Sequence, residues 1–174
     1  MSIKQVFAEL EALRTAGVVE DYALGGAVGA VRYIEPAATQ DIDVFVVFRS
    51  DSAASLAPLG PAYDFLVRRG AKVEAEHLII GDWPVQLLPA TGQLLEDAMR
   101  DARTERVDDQ PVRILSAEHL AAIALDVGRP KDRIRLTQFL DWSGFDRVRF
   151  EAIVERTGLV AKWQQFKRLF VDEA

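Results

Sequence analysis

Two aspartates, Asp41 and Asp43, open the most apolar stretch of the chain, Ile42-Asp43-Val44-Phe45-Val46-Val47-Phe48. Alternation along a strand puts both carboxylates on one face, roughly 6.5–7 Å apart along the chain. Carboxylates that close repel each other unless a proton or a cation intervenes. Magnesium meets that need, because it is bound by one or two carboxylates together with substrate phosphates. Upstream, Gly25-Gly26 follows the short strand Tyr22-Ala23-Leu24 and precedes a small-residue segment. A glycine pair at such a junction lets the backbone approach phosphate oxygens, and a helix N-terminus favours negative charge. Thr39 stands just ahead of the aspartates, placed either to bind nucleotide or to start the strand. These residue types suit phosphoryl or nucleotidyl transfer, in which catalysis is mostly positioning and charge neutralisation. Singly, Asp-x-Asp and Gly-Gly are commonplace in turns and loops. Their order, with a strand and a short helix between them and a buried strand after, is what points to chemistry.

The elements that must position these residues follow from periodicity. Ser2 and Gln5 read as a capping box, with Val6, Leu10 and Leu13 on one face of a helix over 3–16. A short helix is expected over 27–33, stopped by Pro36, and the apolar strand over 42–48 is a central one buried on both faces. Asp51-Ser52 begins a helical stretch interrupted by Pro58, Gly60 and Pro61 and closed by Gly70. Residues 73–80 and 83–88 read as two strands around Gly81-Asp82. Thr91 is a candidate cap for a helix to Arg100, and 103–107 and 111–115 flank Asp108-Asp109 as a second hairpin or an edge strand. Ser116 caps a helix to Val127, ended by Gly128-Arg129-Pro130, and two or three more helices fill the remainder, over about 131–141, 146–156 and 159–170. Mixed strands and helices first and helices alone afterwards predict an α+β core over 1–115 with a C-terminal helical region over 116–174 packed on it.

The composition agrees. The 174 residues are 49% hydrophobic and 28% charged, enough for a packed core. The net charge of −6 disfavours a chain whose main business is gripping nucleic acid nonspecifically, although Arg129, Lys131, Arg133 and Arg135 reverse the balance locally. There is no cysteine, hence no disulfide or thiolate metal site. No apolar run approaches the roughly 18 residues of a membrane span, and no signal segment opens the chain, so a cytoplasmic protein without membrane contact is expected.

Leu24-Gly25-Gly26-Ala27 followed by Thr39-Gln40-Asp41-Ile42-Asp43-Val44-Phe45 resembles the signature of the polymerase-beta-like nucleotidyltransferases. It is similar in particular to the small bacterial group that includes abortive-infection and related toxin nucleotidyltransferases. Ile114 to Leu120 and Gly128-Arg129-Pro130-Lys131-Asp132 are similar to the helical segment that follows the sheet in that group. The resemblance implies a mixed sheet, Gly25 and Gly26 at the nucleotide phosphates, and Asp41 and Asp43 holding Mg2+ or Mn2+. Thr39, Arg129 and Lys131 are further candidates for nucleotide contact. The implied partners are a nucleoside triphosphate, an RNA, protein or small-molecule acceptor, and an antitoxin if the chain is the toxin half of a pair.

The chain also departs from that pattern. Gln86 stands where the resemblance places a third carboxylate, and a neutral amide is a poor magnesium ligand and a poor general base. Alternation does not aim Glu74, Glu76 or Asp82 into its place. Ala124 replaces a lysine often found before the Gly-Arg motif. Two functions are therefore carried forward: a nucleotidyltransferase, and a catalytically silent nucleotide- or metal-binding module acting through a partner protein. Arg32 reads as a surface residue or a phosphate contact, His119 as structural, and Trp83, Trp142 and Trp163 as core anchors.

Overall fold

The computed structural model describes residues 3–36, 39, 41–48, 58–107 and 109–171, which form seven strands and eight helices. Helix α1 (Lys4–Thr15) leads to β1 (Asp21–Leu24), α2 (Gly26–Ala30) and β2 (Ile42–Val47). Next come α3 (Gly60–Arg68), β3 (Lys72–Glu74), β4 (His77–Ile80), β5 (Trp83–Pro89) and α4 (Gln93–Arg100). The hairpin β6 (Arg103–Val107) and β7 (Gln110–Ile114) precedes four helices, α5 (Ala117–Val127), α6 (Pro130–Asp141), α7 (Arg147–Arg156) and α8 (Val160–Phe170).

The strands form one mixed sheet in the order β3-β4-β5-β2-β1-β7-β6. β2 is central, antiparallel to β1 and parallel to β5, which accounts for its nearly continuous apolarity. Ile42, Val44 and Val46 join one core, with Val6, Phe7, Leu10 and Leu13 of α1 and Ala62 and Leu66 of α3. Phe45 joins a second core on the other face, built with α4 to α8. By the same alternation Asp43 shares the Phe45 side. The α+β architecture expected from the sequence is the one observed, and the aspartate points toward the helical half.

Helix α5 is the centre of that half, with eight of its 11 residues buried. A helix apolar on every side belongs inside. Ser116 caps it by accepting from the His119 N–H, and Gly128 closes it at φ +69°. Around it Phe150 meets Trp163 edge-on, ring centroids 5.1 Å apart, and Arg156 of α7 reaches Asp97 of α4 at 2.9 Å.

His119 is 0% exposed. Its Nδ1 lies 2.9 Å from Ser116 Oγ, and its Nε2 has no hydrogen-bond partner among the described residues. Burial pushes its pKa below 6.5; Asp101 opposes the shift, while Arg149 and Arg156 add to it. The unfolded chain therefore takes up this proton more readily than the folded one. The stability that the neutral ring secures is complete above about pH 6.5 and declines as the pH falls below it. Melting at about pH 7.5 and about pH 5.5 is expected to show a larger drop for the wild type than for His119→Gln. An equal drop in both would mean that His119 does not carry the acid sensitivity.

Several local expectations are corrected. The strand expected over 73–80 is two strands, because Ala75 turns at φ +52° and β3 and β4 pair with Glu74 opposite His77. Pro61 does not interrupt a helix; it sits in the first turn of α3, where its missing N–H costs nothing. Gly92, at φ +84°, holds the N-cap position of α4 in place of Thr91, and no side chain caps that helix. Trp163 is buried as expected, whereas Trp83 and Trp142 are only half-buried. The proposed caps at Ser2 and Asp51-Ser52 lie outside the described residues. Among the described residues no helix is long and apolar enough to cross a membrane.

Candidate active site

β2 delivers its two aspartates differently. Asp41 precedes the strand and is half-buried. Thr39 Oγ1 lies 3.0 Å from Asp41 Oδ1, to which it donates, and 3.1 Å from the Asp41 carbonyl. Thr39 thus fixes one carboxylate oxygen and leaves Oδ2 to face His77, whose Nε2 is 3.7 Å away. Asp43 lies inside the strand. Burial raises its pKa, the charge of Asp41 raises it further, and Arg135, Lys131 and Arg129 pull it back.

The glycine pair is built around these side chains. The Gly25 N–H donates to the Asp43 carbonyl at 2.9 Å, and a Cβ on Gly25 would stand 2.8 Å from Phe45 Cδ2. Gly26, at φ +55°, begins α2, and a Cβ there would fall into the Asp43 carboxylate, 2.7 Å from its Cγ. Packing against β2 therefore requires both glycines, independently of any phosphate. Gly29, which sequence reasoning passed over, lets α2 lie on β1: its Cβ would come 2.8 Å from the Leu24 carbonyl oxygen.

Gln86 pairs in parallel register with Asp43 and shares its face of the sheet. The amide therefore sits beside the half-buried carboxylate, at the position the resemblance gave to a third acid. Glu74, Glu76 and Asp82 are exposed.

The facing wall is the start of α6. Asp132 is 2% exposed and pairs with Arg129 Nε at 2.7 Å and Arg135 Nη1 at 3.3 Å. The i, i+3, i+6 spacing puts these three on one helical face. A cavity of about 450 Å³ separates them from the sheet, lined by Gly26, Asp43, Arg129, Asp132 and Arg135 at its polar end. Phe45, Leu88, Leu95, Leu120, Ile123 and Ala124 supply apolar walls. Lys131 is exposed and outside this lining, although its charge is felt at Asp43. Arg32 pairs with Glu105 at 3.6 Å and does not line the cavity. Sequence reasoning missed Arg135, for which the helical spacing from Arg129 was an available signal. No metal-ligand spacing joins His77 to His119 in the sequence, and the contact of His77 with Asp41 arises from strand order.

Two carboxylates on adjacent alternating positions, one of them holding its proton more tightly because of burial and its neighbour, form a donor set that suits one hard divalent cation completed by phosphate oxygens. Among the described residues no three His, Asp or Glu side chains are already drawn together as a metal centre.

No protein-family model matches this chain, and no curated protein matches it. Among solved structures it is similar to an antigenic nucleotidyltransferase-like protein from Paracoccidioides brasiliensis, at 12% identity and a TM-score of 0.53, over 79% of this chain and 75% of that one. It also matches the antibiotic-resistance factor ANT(2'')-Ia in solution, at 16% identity and a TM-score of 0.49, over 98% and 92% of the two chains. The likeness to the Paracoccidioides protein gives this chain a nucleotidyltransferase-like fold.

Proposed function

We propose that this protein transfers a nucleotidyl group from a nucleoside triphosphate to an acceptor, with Mg2+ or Mn2+ held by Asp41 and Asp43. The observation that carries this reading is the cavity, which sets the half-buried carboxylate of Asp43 against a two-arginine wall. When bound, the cation neutralises charge on the transferring phosphoryl group and orients it. Thr39 aims Asp41. Arg129 and Arg135 face the triphosphate, prepositioned by Asp132, and Lys131 adds charge at the rim. The apolar walls exclude water and receive the nucleoside. Gly25 and Gly26 keep the approach to Asp43 open, and Gly26 borders the phosphates.

The narrower kinship with abortive-infection toxins and an antitoxin partner belong to the same reading and rest on the sequence resemblance, and a cytoplasmic location is proposed from the absence of a membrane-length apolar run in the sequence. The acceptor is an RNA, a protein or a small molecule. Gln86 favours a second reading. Beside Asp43 it offers no group to take a proton from an attacking hydroxyl, as expected of a silent nucleotide-binding module that works through a partner protein.

The deciding experiment incubates the protein with magnesium, each labelled nucleoside triphosphate, transfer RNA and bulk protein, beside an Asp41→Asn/Asp43→Asn control. Label transfer that the control lacks supports the transferase. Magnesium-dependent nucleotide binding without transfer supports the silent module, and neither would overturn both. Arg129 is 57% exposed, so Arg129→Ala is expected to fold normally. It should weaken triphosphate binding roughly tenfold, the loss of one charge-assisted hydrogen bond of about 1.5 kcal/mol. Nucleoside binding should be unaffected. Calorimetry with triphosphate and nucleoside separates the two, and an equal loss for both ligands would remove Arg129 from the phosphate wall.

A further inference from the structure

We infer that Arg135 is a catalytic residue of the proposed transfer: it binds the α-phosphoryl group that moves, while Arg129 holds only the phosphates that depart. The inference rests on the proposed reaction and divides its phosphate wall in two. In that reaction the acceptor's hydroxyl oxygen bonds to the α-phosphorus as the bond from that phosphorus to the α–β bridging oxygen breaks. Pyrophosphate leaves with the bonding electrons, and the hydroxyl proton passes to water. Charge shifts onto the bridging oxygen beside the α-phosphorus. A donor aimed there acts on the rate, whereas a donor at the far phosphates acts on binding.

Three observations separate the two arginines. The first is depth. Arg129, at the N-cap of α6, has a side chain 57% exposed, and that of Arg135, about 9 Å further along the helix, is 12% exposed. Both line the cavity that Asp43 borders, so one stands at its mouth and the other inside. The second is unused hydrogen-bonding capacity. A guanidinium has donors on every nitrogen. Among the described residues that of Arg135 reaches one acceptor, donating from Nη1 to Asp132 Oδ1 at 3.3 Å. Its other nitrogens are not shut in by protein and open on the cavity. The third is electrostatic. The charge of Arg135 acts on Asp43 more strongly than that of Lys131 or Arg129, as expected of the cation nearest the carboxylate beside which the reacting phosphate sits. Asp132 keeps the two guanidiniums apart, because Arg129 Nε takes its other oxygen, Oδ2, at 2.7 Å.

Calorimetry with nucleoside monophosphates and triphosphates in magnesium reads this division without an acceptor, since a monophosphate presents the α-phosphate alone. Arg135→Gln should lose roughly tenfold in monophosphate affinity, the scale of one charge-assisted hydrogen bond. Arg129→Ala should lose triphosphate affinity with little change for the monophosphate. Arg135→Lys keeps a cation for Asp132 and should melt like the wild type. A point charge does not replace the planar fork, so monophosphate affinity should return only in part. In label transfer from saturating triphosphate to transfer RNA and bulk protein, both Arg135 variants should turn over about 100-fold more slowly, and the loss in Arg129→Ala should fall on KM. Wild-type monophosphate affinity or wild-type turnover in Arg135→Lys would overturn the inference and leave Arg135 as the counterion of Asp132. Equal monophosphate losses in Arg129→Ala and Arg135→Gln would overturn the division. A wild type that binds triphosphate and transfers no label would overturn the catalytic role and leave the silent module standing. No nucleotide binding at all would overturn the proposed reaction itself and this inference with it.

Discussion

Asp43→Asn is expected to raise the melting temperature of the protein measured without metal or nucleotide, and to lower nucleotidyl transfer by a factor on the order of 10²–10³. The two effects have one cause. Burial and the neighbouring charge of Asp41 raise the Asp43 pKa in the fold, so the ionised form is disfavoured there relative to the unfolded chain. Below its unfolded pKa the carboxyl is protonated in both states and costs nothing. As the pH rises through that value and then the raised folded one, ionisation is resisted in the fold and stability is lost. At neutral pH asparagine keeps the shape and removes that penalty, as well as the repulsion from Asp41. It also removes half of the pair that would hold a divalent cation. Adding magnesium should therefore raise the melting temperature of the wild type, by linkage, and leave the variant unmoved. A variant that melts lower than the wild type would mean that Arg129, Lys131 and Arg135 already neutralise Asp43 in the fold. The wall would then be a structural counterion and not a phosphate site.

Why part of this site could be read from sequence and part could not is a matter of range. β2 was legible because a strand covered on both faces has to be apolar, and its one internal charge stands out. The punctuation of α5 by Ser116 and Gly128 was legible because capping is settled within a turn of helix. The break in residues 73–80 was not, because Ala75 at φ +52° has no turn preference of its own; the pairing of β3 with β4 imposes it. Gly92 displaced Thr91 at the cap of α4 for a similar reason, the approach of the chain from β5 requiring positive φ. In the site, Arg129 and Arg135 converge on Asp132 through helical spacing alone, which makes their pairing a local fact. His77 reaches Asp41 only because the sheet runs β4-β5-β2, and no local rule contains that order. The glycine pair lies between these cases. Its conformational freedom was readable, but the carboxylate that occupies the space of a Gly26 Cβ was not.

That last contact yields the other large effect. Gly26→Ala is expected to abolish transfer as thoroughly as loss of Asp43 and to destabilise the protein by about 1–3 kcal/mol. Two costs add. At φ +55° an alanine is strained wherever it has space, and here it has none, because its methyl group would have to displace the Asp43 carboxylate. Asp43 is fixed by the central strand and by the Gly25 N–H on its carbonyl, so it can yield only at its side chain. The carboxylate turns away from the cavity, and the pairing with Asp41 that suits a cation is lost. A double-mutant cycle separates steric coupling from simple backbone strain. In an Asp43→Ala background the oxygen and Cγ are gone and only the Cβ remains, 3.0 Å from the new methyl group. Gly26→Ala should therefore cost less stability there than in the wild type, and the shortfall measures how far the glycine serves the aspartate. Equal costs in the two backgrounds would mean that the glycine is required by the turn into α2 alone. Its closeness to Asp43 would then be a consequence of that turn and not a condition of the site.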